Sequence, residues 1–378
     1  MRHRQHVQTH SSWRKRKKLK KKFREEKLLD QLEDKKRLDK RKKIFHDNDD
    51  ESCTVENKQT EEEVRPSTSS TAFPFTLSIA LPGSILDNAQ SFELRTYLAG
   101  QIARCCAIFS VDEVVVFDEY AQLTKKELKQ FESGADVTFS NCNLHLARLL
   151  QYMECPQYLR KLLFPLSRDL KFAGILNPLD APHHMRADDL SIPYREAVVL
   201  EKPVKEGRGS YCNAGFQKDV RINECLQPGL RLTLKLESVD LTKKHLRGRV
   251  VSPHAPREEM ALYWGYTVRI ASSLSAVFKE SPYDSDYDCT IGTSERGTPL
   301  TEMPPLNKPR HVLVVFGGLK GLESCLESDQ QLDAEEPSQL FDHYLNTCPG
   351  QGSRTIRTEE AMLITLSGLQ LTSRRKLS

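Results

Sequence analysis

The stretch NTCPGQGSRTIRTEEA, residues 346–361, places a glycine-rich turn directly before a run of helix-forming residues. The turn follows the apolar segment FDHYL (341–345), which predicts a strand, and it leads into a helix predicted over roughly 356–369. Glycine permits positive φ angles and lets backbone groups approach a ligand closely. The stretch therefore predicts a strand-to-helix turn that is suited to holding a small molecule.

Two earlier strands end in the same kind of turn. DCTIGTSERG (288–297) and HVLVVFGGLKG (311–321) each pass from an apolar run into a loop with glycine. Ligands of α/β sheets bind outside the carboxyl ends of the strands. One such loop alone indicates only a turn, but three together predict a pocket lined by backbone amides and carbonyls, which suit a nucleobase edge. FGGLKG does not fit GxGxxG, and the chain has no GxxxxGK[ST] phosphate loop.

The preceding half of the folded region has an α/β pattern. FTLSIALP (75–82) and DEVVVFDE (112–119) are typical of strands, and the segment 91–109 between them has apolar residues three to four apart, as a helix requires. A polar stretch extends to about Asn141, and two further helices separated by Pro156 follow it. Strands that alternate with helices at this spacing predict a parallel sheet.

The pattern changes between about 185 and 260, where REAVVLE, KDVRI, LRLTLKLE and HLRGRVV predict short strands. They indicate a small β-barrel inserted into the α/β domain. This segment carries 14 Lys/Arg against 11 Asp/Glu, and Tyr211 and Phe216 could stack on RNA bases. A solvated surface over aromatic core residues is the alternative. The cations predicted to follow a phosphate backbone are Arg231, Lys235, Lys243, Lys244, Arg247 and Arg249.

The first 46 residues carry 19 Lys/Arg and 6 Asp/Glu, and are strongly basic. The rest of the chain carries 37 Lys/Arg and 46 Asp/Glu, and is mildly acidic. Few apolar residues and high charge predict a disordered tail. An acidic, then Ser/Thr-rich linker extends it to about residue 72. The basic density from Arg14 to Arg24 predicts a nuclear or nucleolar address and an arm that binds RNA without sequence preference. A solvated charge run is the alternative.

The composition argues against several other classes of protein. The ten cysteines include no CxxC pair, so neither a zinc site nor a short disulfide is predicted. No apolar run approaches about 20 residues, so no membrane span is expected. The charged N-terminus does not match a secretory signal. These features predict a soluble intracellular protein.

Eight segments of the chain carry a family likeness: SIALPGSILDNAQS, ELRTYLAGQIAR, VVVFDE, LNPLDAPHHMR, YWGYTVRIASSLSAVF, TIGTSERG, VVFGGLKGLE and NTCPGQGSRTIRTEEA. Together they resemble the SPOUT-class RNA methyltransferases, and more narrowly the eukaryotic and archaeal type with an inserted OB-like barrel. The likeness covers about residues 74–370. It implies an α/β fold with a deep trefoil knot, S-adenosylmethionine bound in the knot, and a homodimer.

With this resemblance, the chain divides into four segments. The basic then acidic tail and linker occupy 1–72, and the first half of the SPOUT domain occupies 73–184. The inserted OB-like barrel occupies 185–260, and the second half of the SPOUT domain, with the knot and cofactor loops, occupies 261–372. The expected fold class is therefore α/β with an inserted barrel and a disordered tail.

The resemblance also implies which residues hold the cofactor. Adenine is expected near Leu319, Ile356 and the backbone of 346–349, and the methionine end is expected near 293–296. Ordinary core packing is the alternative for Leu319 and Ile356, and no metal is expected. The full predicted set is Thr293, Glu295, Arg296, Gly317, Gly318, Leu319, Gly321, Asn346, Thr347, Cys348, Pro349, Gly350, Gly352, Ser353 and Ile356.

Four residues are predicted to be catalytic. Arg354 and Arg357 follow the last loop and could stabilise an anionic base during methyl transfer. Asn88 and Arg95 match the family's other active-site face, which comes from the neighbouring subunit. A phosphate contact for Arg354, an ion pair with Glu359 or Glu360 for Arg357, and a helix cap or turn role for Asn88 are the alternatives.

The predicted function is S-adenosylmethionine-dependent methylation of RNA, and the resemblance favours uridine N3 in large-subunit ribosomal RNA. Animal relatives have also been associated with the mitotic spindle and kinetochore. The alternative is a non-catalytic RNA-binding or scaffold factor that retains the knot. Such a factor would not need three intact glycine loops. A small-molecule methyltransferase fits poorly with the basic tail and the barrel.

Overall fold

The computed structural model describes residues 75–134, 141–202, 209–238, 246–304, 306 and 309–374, with side chains described up to residue 370. Its strands are β1 Thr76–Pro82, β2 Glu113–Phe117, β3 Tyr194–Val199, β4 Tyr211–Asn213, β5 Val220–Arg221, β6 Arg231–Ser238, β7 Leu246–Val251, β8 Thr267–Ala271, β9 Cys289–Pro299, β10 His311–Val315 and β11 His343–Asn346. Six of them form a parallel sheet in the order β11-β9-β10-β1-β2-β8. The predicted parallel α/β sheet is confirmed.

The sheet is covered on both faces, which explains the apolar runs seen in the sequence. Every residue of β2 is buried, and β1 is buried from Ser78 to Pro82. Strands that are buried on both faces read as continuous apolar segments rather than as alternating ones. β1 lies in the middle of the sheet, with Thr76 opposite His311 of β10 and Ser78 opposite Glu113 of β2.

The helices are α1 Phe92–Ile108, α2 Lys125–Glu132, α3 Cys142–Glu154, α4 Gln157–Leu163, α5 Ala255–Met260, α6 Leu274–Lys279, α7 Gly321–Ser328 and α8 Thr358–Arg374. Four of them, α1, α3, α4 and α8, confirm helices predicted from apolar spacing. α2 lies in the stretch expected to be merely polar. It forms because Thr124 and Glu127 make a reciprocal capping box, and only Phe131 is buried.

The five strands β3 to β7 close into a barrel in the order β3-β4-β5-β7-β6. Four of these strands match the predicted segments, whereas β4, three residues long, went unpredicted. The interior is apolar and includes Val220, Leu234 and Leu246. The barrel and the sheet belong to one compact unit. The boundaries 185 and 260 stay a prediction.

A buried polar cluster joins the barrel to the sheet domain. Arg231 of β6 donates to both carboxylate oxygens of Glu154 in α3, at 2.6 and 2.9 Å, and to Glu196 of β3 at 2.7 Å. Glu196 also accepts hydrogen bonds from Thr233 and from the indole N–H of Trp264. Glu154 and Glu196 are only 6% and 4% exposed. We call these five residues the junction cluster.

The junction cluster fixes the charge state of its central acid. Burial alone would raise the pKa of Glu154, but the positive charge of Arg231 and the hydrogen bonds from His183 and Arg231 together outweigh the effect of burial. The pKa of Glu154 therefore lies well below its ordinary value. His183 and His184 both contact the Glu154 carbonyl through Nε2, at 2.9 and 2.8 Å. This histidine pair serves the structure of the junction.

The junction corrects part of the RNA-binding prediction for the barrel. Arg231 was expected to follow a phosphate backbone, yet it faces α3 and pairs with two buried acids. Phe216 was expected to stack on a base, but it packs against the barrel core, with the guanidinium of Arg195 at 4.5 Å from its ring centre. Lys235 pairs with Glu259. Alternation along a strand says which residues share a face, but not which face another element covers.

Several predictions fall outside the described residues, among them the basic tail, the linker, Lys243 and Lys244. Within the described ranges, no helix combines the length and apolar character of a membrane span. The nine cysteines of these ranges are free thiols, and no group of three or more His, Cys, Asp or Glu residues there is arranged to hold a metal ion.

Candidate active site

The three glycine-containing loops extend from neighbouring strands at the carboxyl edge of the sheet. β9 leaves the sheet after Gly292 and rejoins it at Thr298, because Tyr344 pairs with Gly292 while the next residue, Leu345, pairs with Thr298. We call residues 293–297 the β9 loop, 316–321 the β10 loop and 346–357 the β11 loop. β9 lies between β10 and β11, so the three loops are adjacent.

Side-chain hydrogen bonds tie the loops to one another. Thr293 Oγ1 of the β9 loop donates to the carbonyl of Val315, the last residue of β10 directly before the β10 loop, at 3.1 Å. Asn346 Nδ2 of the β11 loop donates to the carbonyl of Glu295 at 2.8 Å. Thr358 Oγ1, at the first residue of α8, donates to the carbonyl of Gly317 at 3.2 Å. The structure therefore brings the three predicted loops together, and their role in binding stays a prediction.

Close backbone contact explains the glycine at the end of the β9 loop, Gly297. A Cβ on Gly297 would lie 2.4 Å from the carbonyl carbon of Leu345 and 2.7 Å from the nitrogen of Asn346. These are backbone atoms of β11, which cannot move aside as a side-chain tip can. Gly297 thus lets the β9 loop return to the sheet directly against the β11 loop.

The other predicted binding residues differ in how they are placed. Leu319 is 78% exposed, so core packing is not its role. Ile356 is partly buried, and Pro349, Gly350, Gly352 and Ser353 are exposed. Asn346 Oδ1 accepts the backbone N–H of Cys348 at 3.1 Å, and Thr347 Oγ1 lies 2.9 Å from Thr365 Oγ1 of α8. The start of the β11 loop is therefore held, whereas its middle faces solvent.

The predicted cations lie at the surface of the loop cluster. Arg296 is 75% exposed and pairs with Glu323 of α7 at 3.3 Å. Arg354 and Arg357 are exposed. The backbone N–H of Arg357, rather than its guanidinium, donates to Glu360 at 3.0 Å, so this acid caps the start of α8. The guanidinium groups of Arg354 and Arg357 thus lie within reach of a large substrate.

Asn88 and Arg95 lie at the same sheet edge, after β1. Asn88 is the exposed last residue of a 3₁₀ turn, Gly83–Asn88, which agrees with a turn role; Ser91, not Asn88, caps α1. The guanidinium of Arg95 pairs with Asp87 at 3.1 Å and lies 5.3 Å from the ring centre of Phe92.

The structure adds a residue to this edge that sequence reasoning missed. Glu119 follows β2, and its carboxylate accepts hydrogen bonds from Ser84 at 2.6 Å and Ser324 at 2.8 Å. Ser84 follows β1 and Ser324 lies in α7, next to the β10 loop. The sequence does show an acid at the carboxyl end of a predicted parallel strand. Because ligands bind at that edge of a sheet, this position could have identified Glu119 as a candidate site residue.

The chain is similar to known RNA methyltransferases. The family model described as "Putative RNA methyltransferase" matches residues 76–369. The chain is 58% identical over 298 residues to the human protein named 28S rRNA (uridine-N(3))-methyltransferase, covering 79% of this chain and 78% of the human protein. It is 59% identical over 298 residues to the mouse protein of the same name, covering 79% and 76% of the two chains.

The family match spans the whole sheet, the barrel and all three loops, and the identity to both mammalian relatives is high over the same share of the chain. The resemblance to the SPOUT-class RNA methyltransferases is thereby confirmed, and the chain belongs to this RNA methyltransferase family.

Proposed function

We propose that this chain methylates N3 of a uridine in large-subunit ribosomal RNA, with S-adenosylmethionine as the methyl donor. The observation that carries the proposal is the convergence of the three loops, which are joined through Thr293, Asn346 and Thr358. The reaction and the RNA come from the names of the human and mouse relatives. We further propose that the loops belong to a trefoil knot, as the resemblance implies.

The loops fit an adenosine-containing ligand by their chemistry. They expose backbone amides and carbonyls around glycine positions, which match a nucleobase edge. Leu319, with its exposed side chain, offers an apolar surface for the base. When bound, S-adenosylmethionine supplies an already activated methyl group, so the protein's main task is to align the uridine with it.

The side chains at the surface of the loops serve the uridine. N3 of uridine carries a proton that must leave, and the ring then gains negative charge. The exposed guanidiniums of Arg354 and Arg357 can stabilise that charge, because donors aimed at developing charge lower the barrier. Arginine does not deprotonate in proteins, so neither residue is the base, and the proton leaves to solvent.

The proposal is tested by methyl transfer in vitro. We expect purified protein to transfer the labelled methyl of S-adenosylmethionine to a large-subunit ribosomal RNA fragment, with 3-methyluridine found by mass spectrometry. Arg354→Ala should lower the rate about a hundredfold, as loss of one such donor typically does, while S-adenosylmethionine still binds. Arg310→Ala is the control, because Arg310 is exposed and directly precedes β10 at the opposite edge of the sheet.

Two failures of this experiment have different meanings. Binding of S-adenosylmethionine without methylation of ribosomal RNA would contradict the substrate. Absence of binding by a folded protein would favour the second candidate function, a scaffold that retains the fold. The three intact loop contacts support the enzyme.

We also propose that two copies associate through α1 and α8. The outer faces of these helices carry large apolar side chains that are 44–55% exposed, and a cavity of about 280 Å³ lies between the helices. A second copy would cover this face and place its Asn88 and Arg95 at the site, as the resemblance implies. These side chains belong to Leu94, Tyr97, Ile108 and Leu363, and Phe92 at the start of α1 is 40% exposed.

A charge on this face is expected to separate the dimer. Leu363→Glu should weaken self-association about thirtyfold, since loss of a central apolar contact costs roughly 2 kcal/mol. Sedimentation velocity over a range of concentrations measures the change. Leu166→Glu is the matched control, because Leu166 is fully exposed elsewhere. Equal self-association of both variants and the wild type would remove α1 and α8 from the interface.

The barrel and tail complete the proposal. We assign the five-stranded barrel to the OB-like class and to RNA binding, supported by the exposed Arg247 and Arg249 on β7. The basic run from Arg14 to Arg24 supports a nuclear or nucleolar location. Association with the spindle or kinetochore during mitosis rests on the resemblance alone. Microscopy of the tagged chain with and without residues 1–72 tests the location.

A further inference from the structure

A cleft of about 960 Å³ is lined by the segment 177–187, by the sheet domain and by the barrel. The sheet domain contributes Arg104 of α1 together with Gln157 and Tyr158 of α4, and the barrel contributes Gly215, which follows β4. Small-molecule sites occupy about 300–1,000 Å³, so the cleft has space for a nucleotide. We call this space the junction cleft. It contains none of the residues proposed to hold S-adenosylmethionine.

Two arginines against one acid give the junction cleft a net positive charge. Arg104 donates to the carbonyl of Leu179 at 2.6 Å, and Arg186 is exposed. Asp180 is the acid, and it is exposed as well. Within the described ranges neither arginine forms an ion pair with any carboxylate. A concave surface with positive charge that is not neutralised attracts phosphate groups.

His184 offers a hydrogen-bond acceptor to the same space. Its Nε2 lies 2.8 Å from the carbonyl of Glu154, and a carbonyl can only accept, so Nε2 carries the proton. Burial, aided by the neighbouring His183, lowers the pKa of His184 to about 4, so the ring is neutral at physiological pH and Nδ1 keeps its lone pair. Nδ1 of His183 is buried without a partner, whereas Nδ1 of His184 is accessible and contacts no described residue.

Asn177 adds a side-chain amide, which both donates and accepts hydrogen bonds. It is exposed and has no hydrogen-bond partner among the described residues. Apolar surface lies between the polar groups and comes from Pro178, Met185 and Ala187. A base requires apolar surface and a few polar groups at its edge, and a phosphate requires a cation. The lining therefore matches a nucleotide of single-stranded RNA, whose base is free to leave its stack.

We propose that the junction cleft binds a nucleotide of the substrate RNA other than the target uridine, with Arg186 at its phosphate and with Asn177 and His184 Nδ1 at its base. The inference rests on the proposed function, because it takes RNA as the substrate. An accessible Nδ1 acceptor requires a donor, so the base presents an amino or imino N–H to it.

The position of the cleft agrees with a role beside the active site. Arg104 and Asn177 also line the cavity between α1 and α8. The junction cleft thus begins next to the face that a second copy is proposed to cover. RNA bound in the cleft would enter the completed site from the side of the barrel.

The test is fluorescence anisotropy of a labelled large-subunit ribosomal RNA fragment with the full chain at several salt concentrations. Arg186→Ala should lower the affinity about tenfold, as loss of a charge-assisted hydrogen bond does. It should also reduce the slope of log affinity against log salt by about 0.7, because one phosphate contact to a single strand is lost. Asn177→Ala and His184→Gln should lower the affinity about threefold to tenfold without changing the slope, since they remove uncharged hydrogen bonds. Glutamine at this position can still donate to the Glu154 carbonyl.

Methyl-transfer kinetics separate the junction cleft from the loop cluster. Arg186→Ala should raise the KM for RNA about tenfold, in line with its affinity, and leave kcat unchanged, because the contact exists equally in the ground state and the transition state. Arg310→Ala removes an exposed arginine at the opposite edge of the sheet and should match the wild type in affinity, salt slope and KM.

The possible failures have separate meanings. Wild-type affinity in folded Arg186→Ala and Asn177→Ala would overturn the inference alone. A wild type that binds the fragment without methylating it would contradict the proposed reaction, and the variants would still decide whether the cleft binds RNA. A folded wild type that does not bind the fragment would overturn the RNA substrate and the inference with it.

Discussion

Replacing Arg231 by alanine is expected to lower the free energy of unfolding by about 3–5 kcal/mol, the usual cost of removing one partner from a buried ion pair. The guanidinium makes three hydrogen bonds to Glu154 and Glu196, and both acids are buried. Without Arg231 these two carboxylates face each other's charge inside the junction cluster. Urea unfolding followed by circular dichroism measures the loss.

The control for this prediction is Arg249→Ala. Arg249 lies on β7, is exposed, and is one strand away from the junction cluster. Its removal should change stability by no more than about 0.5 kcal/mol, as for most surface substitutions. Arg231→Lys should fall between the two, because lysine keeps the charge and loses the paired contact with Glu154. Similar stability of Arg231→Ala and Arg249→Ala would contradict a structural role for the cluster.

Gly297→Ala is expected to damage the loop cluster itself. The added Cβ would overlap the backbone of Leu345 and Asn346, so β9 and β11 must separate where the β9 loop rejoins the sheet. Overpacking of this kind costs about 1–3 kcal/mol. It also displaces Asn346 from Glu295, and a shift of about 1 Å at a reacting site can cost a hundredfold in rate. Urea unfolding and the methyl-transfer assay measure the two effects.

Gly174→Ala is the matched control for that variant. Gly174 is exposed, has no neighbouring atom within 4 Å of its Cβ direction and has no positive φ. The same substitution there should alter stability by no more than about 1 kcal/mol and leave methyl transfer unchanged. A Gly297→Ala protein with normal stability and rate would show that the close contact with β11 is not required.

Much of the fold follows from local sequence patterns. The sheet strands are short apolar runs, and α1 has apolar residues at helical spacing after the capping Ser91, so both are visible without tertiary information. α2 cannot be recognised in this way, because it buries a single residue, Phe131, and so shows no periodic pattern of apolar residues. β4 is too short to alternate detectably. Local patterns therefore find elements that bury a whole face and miss those that bury one side chain.

The site is less visible in the sequence than the fold. The three loops are recognisable, because glycine clusters directly follow apolar runs. The role of Glu119 is not recognisable, because two of its hydrogen-bond partners lie far away in the sequence. Ser84 comes 35 residues before it and Ser324 comes 205 residues after it. The prediction for Arg231 was wrong for a related reason, since its acidic partner Glu154 lies on a helix of the other segment. Charge balance across distant segments is known only once the chain is folded.

The central position of β1 has a consequence for the way the protein is made. β1 pairs on one side with β2, but its other neighbour, β10, begins 235 residues later, at His311 opposite Thr76. At ordinary rates of synthesis this interval lasts on the order of 10–50 s. During that time one edge of an apolar strand has no partner in a growing chain. Nascent copies on neighbouring ribosomes could pair there, so a chaperone that shields β1 until β10 emerges should raise the yield of native protein.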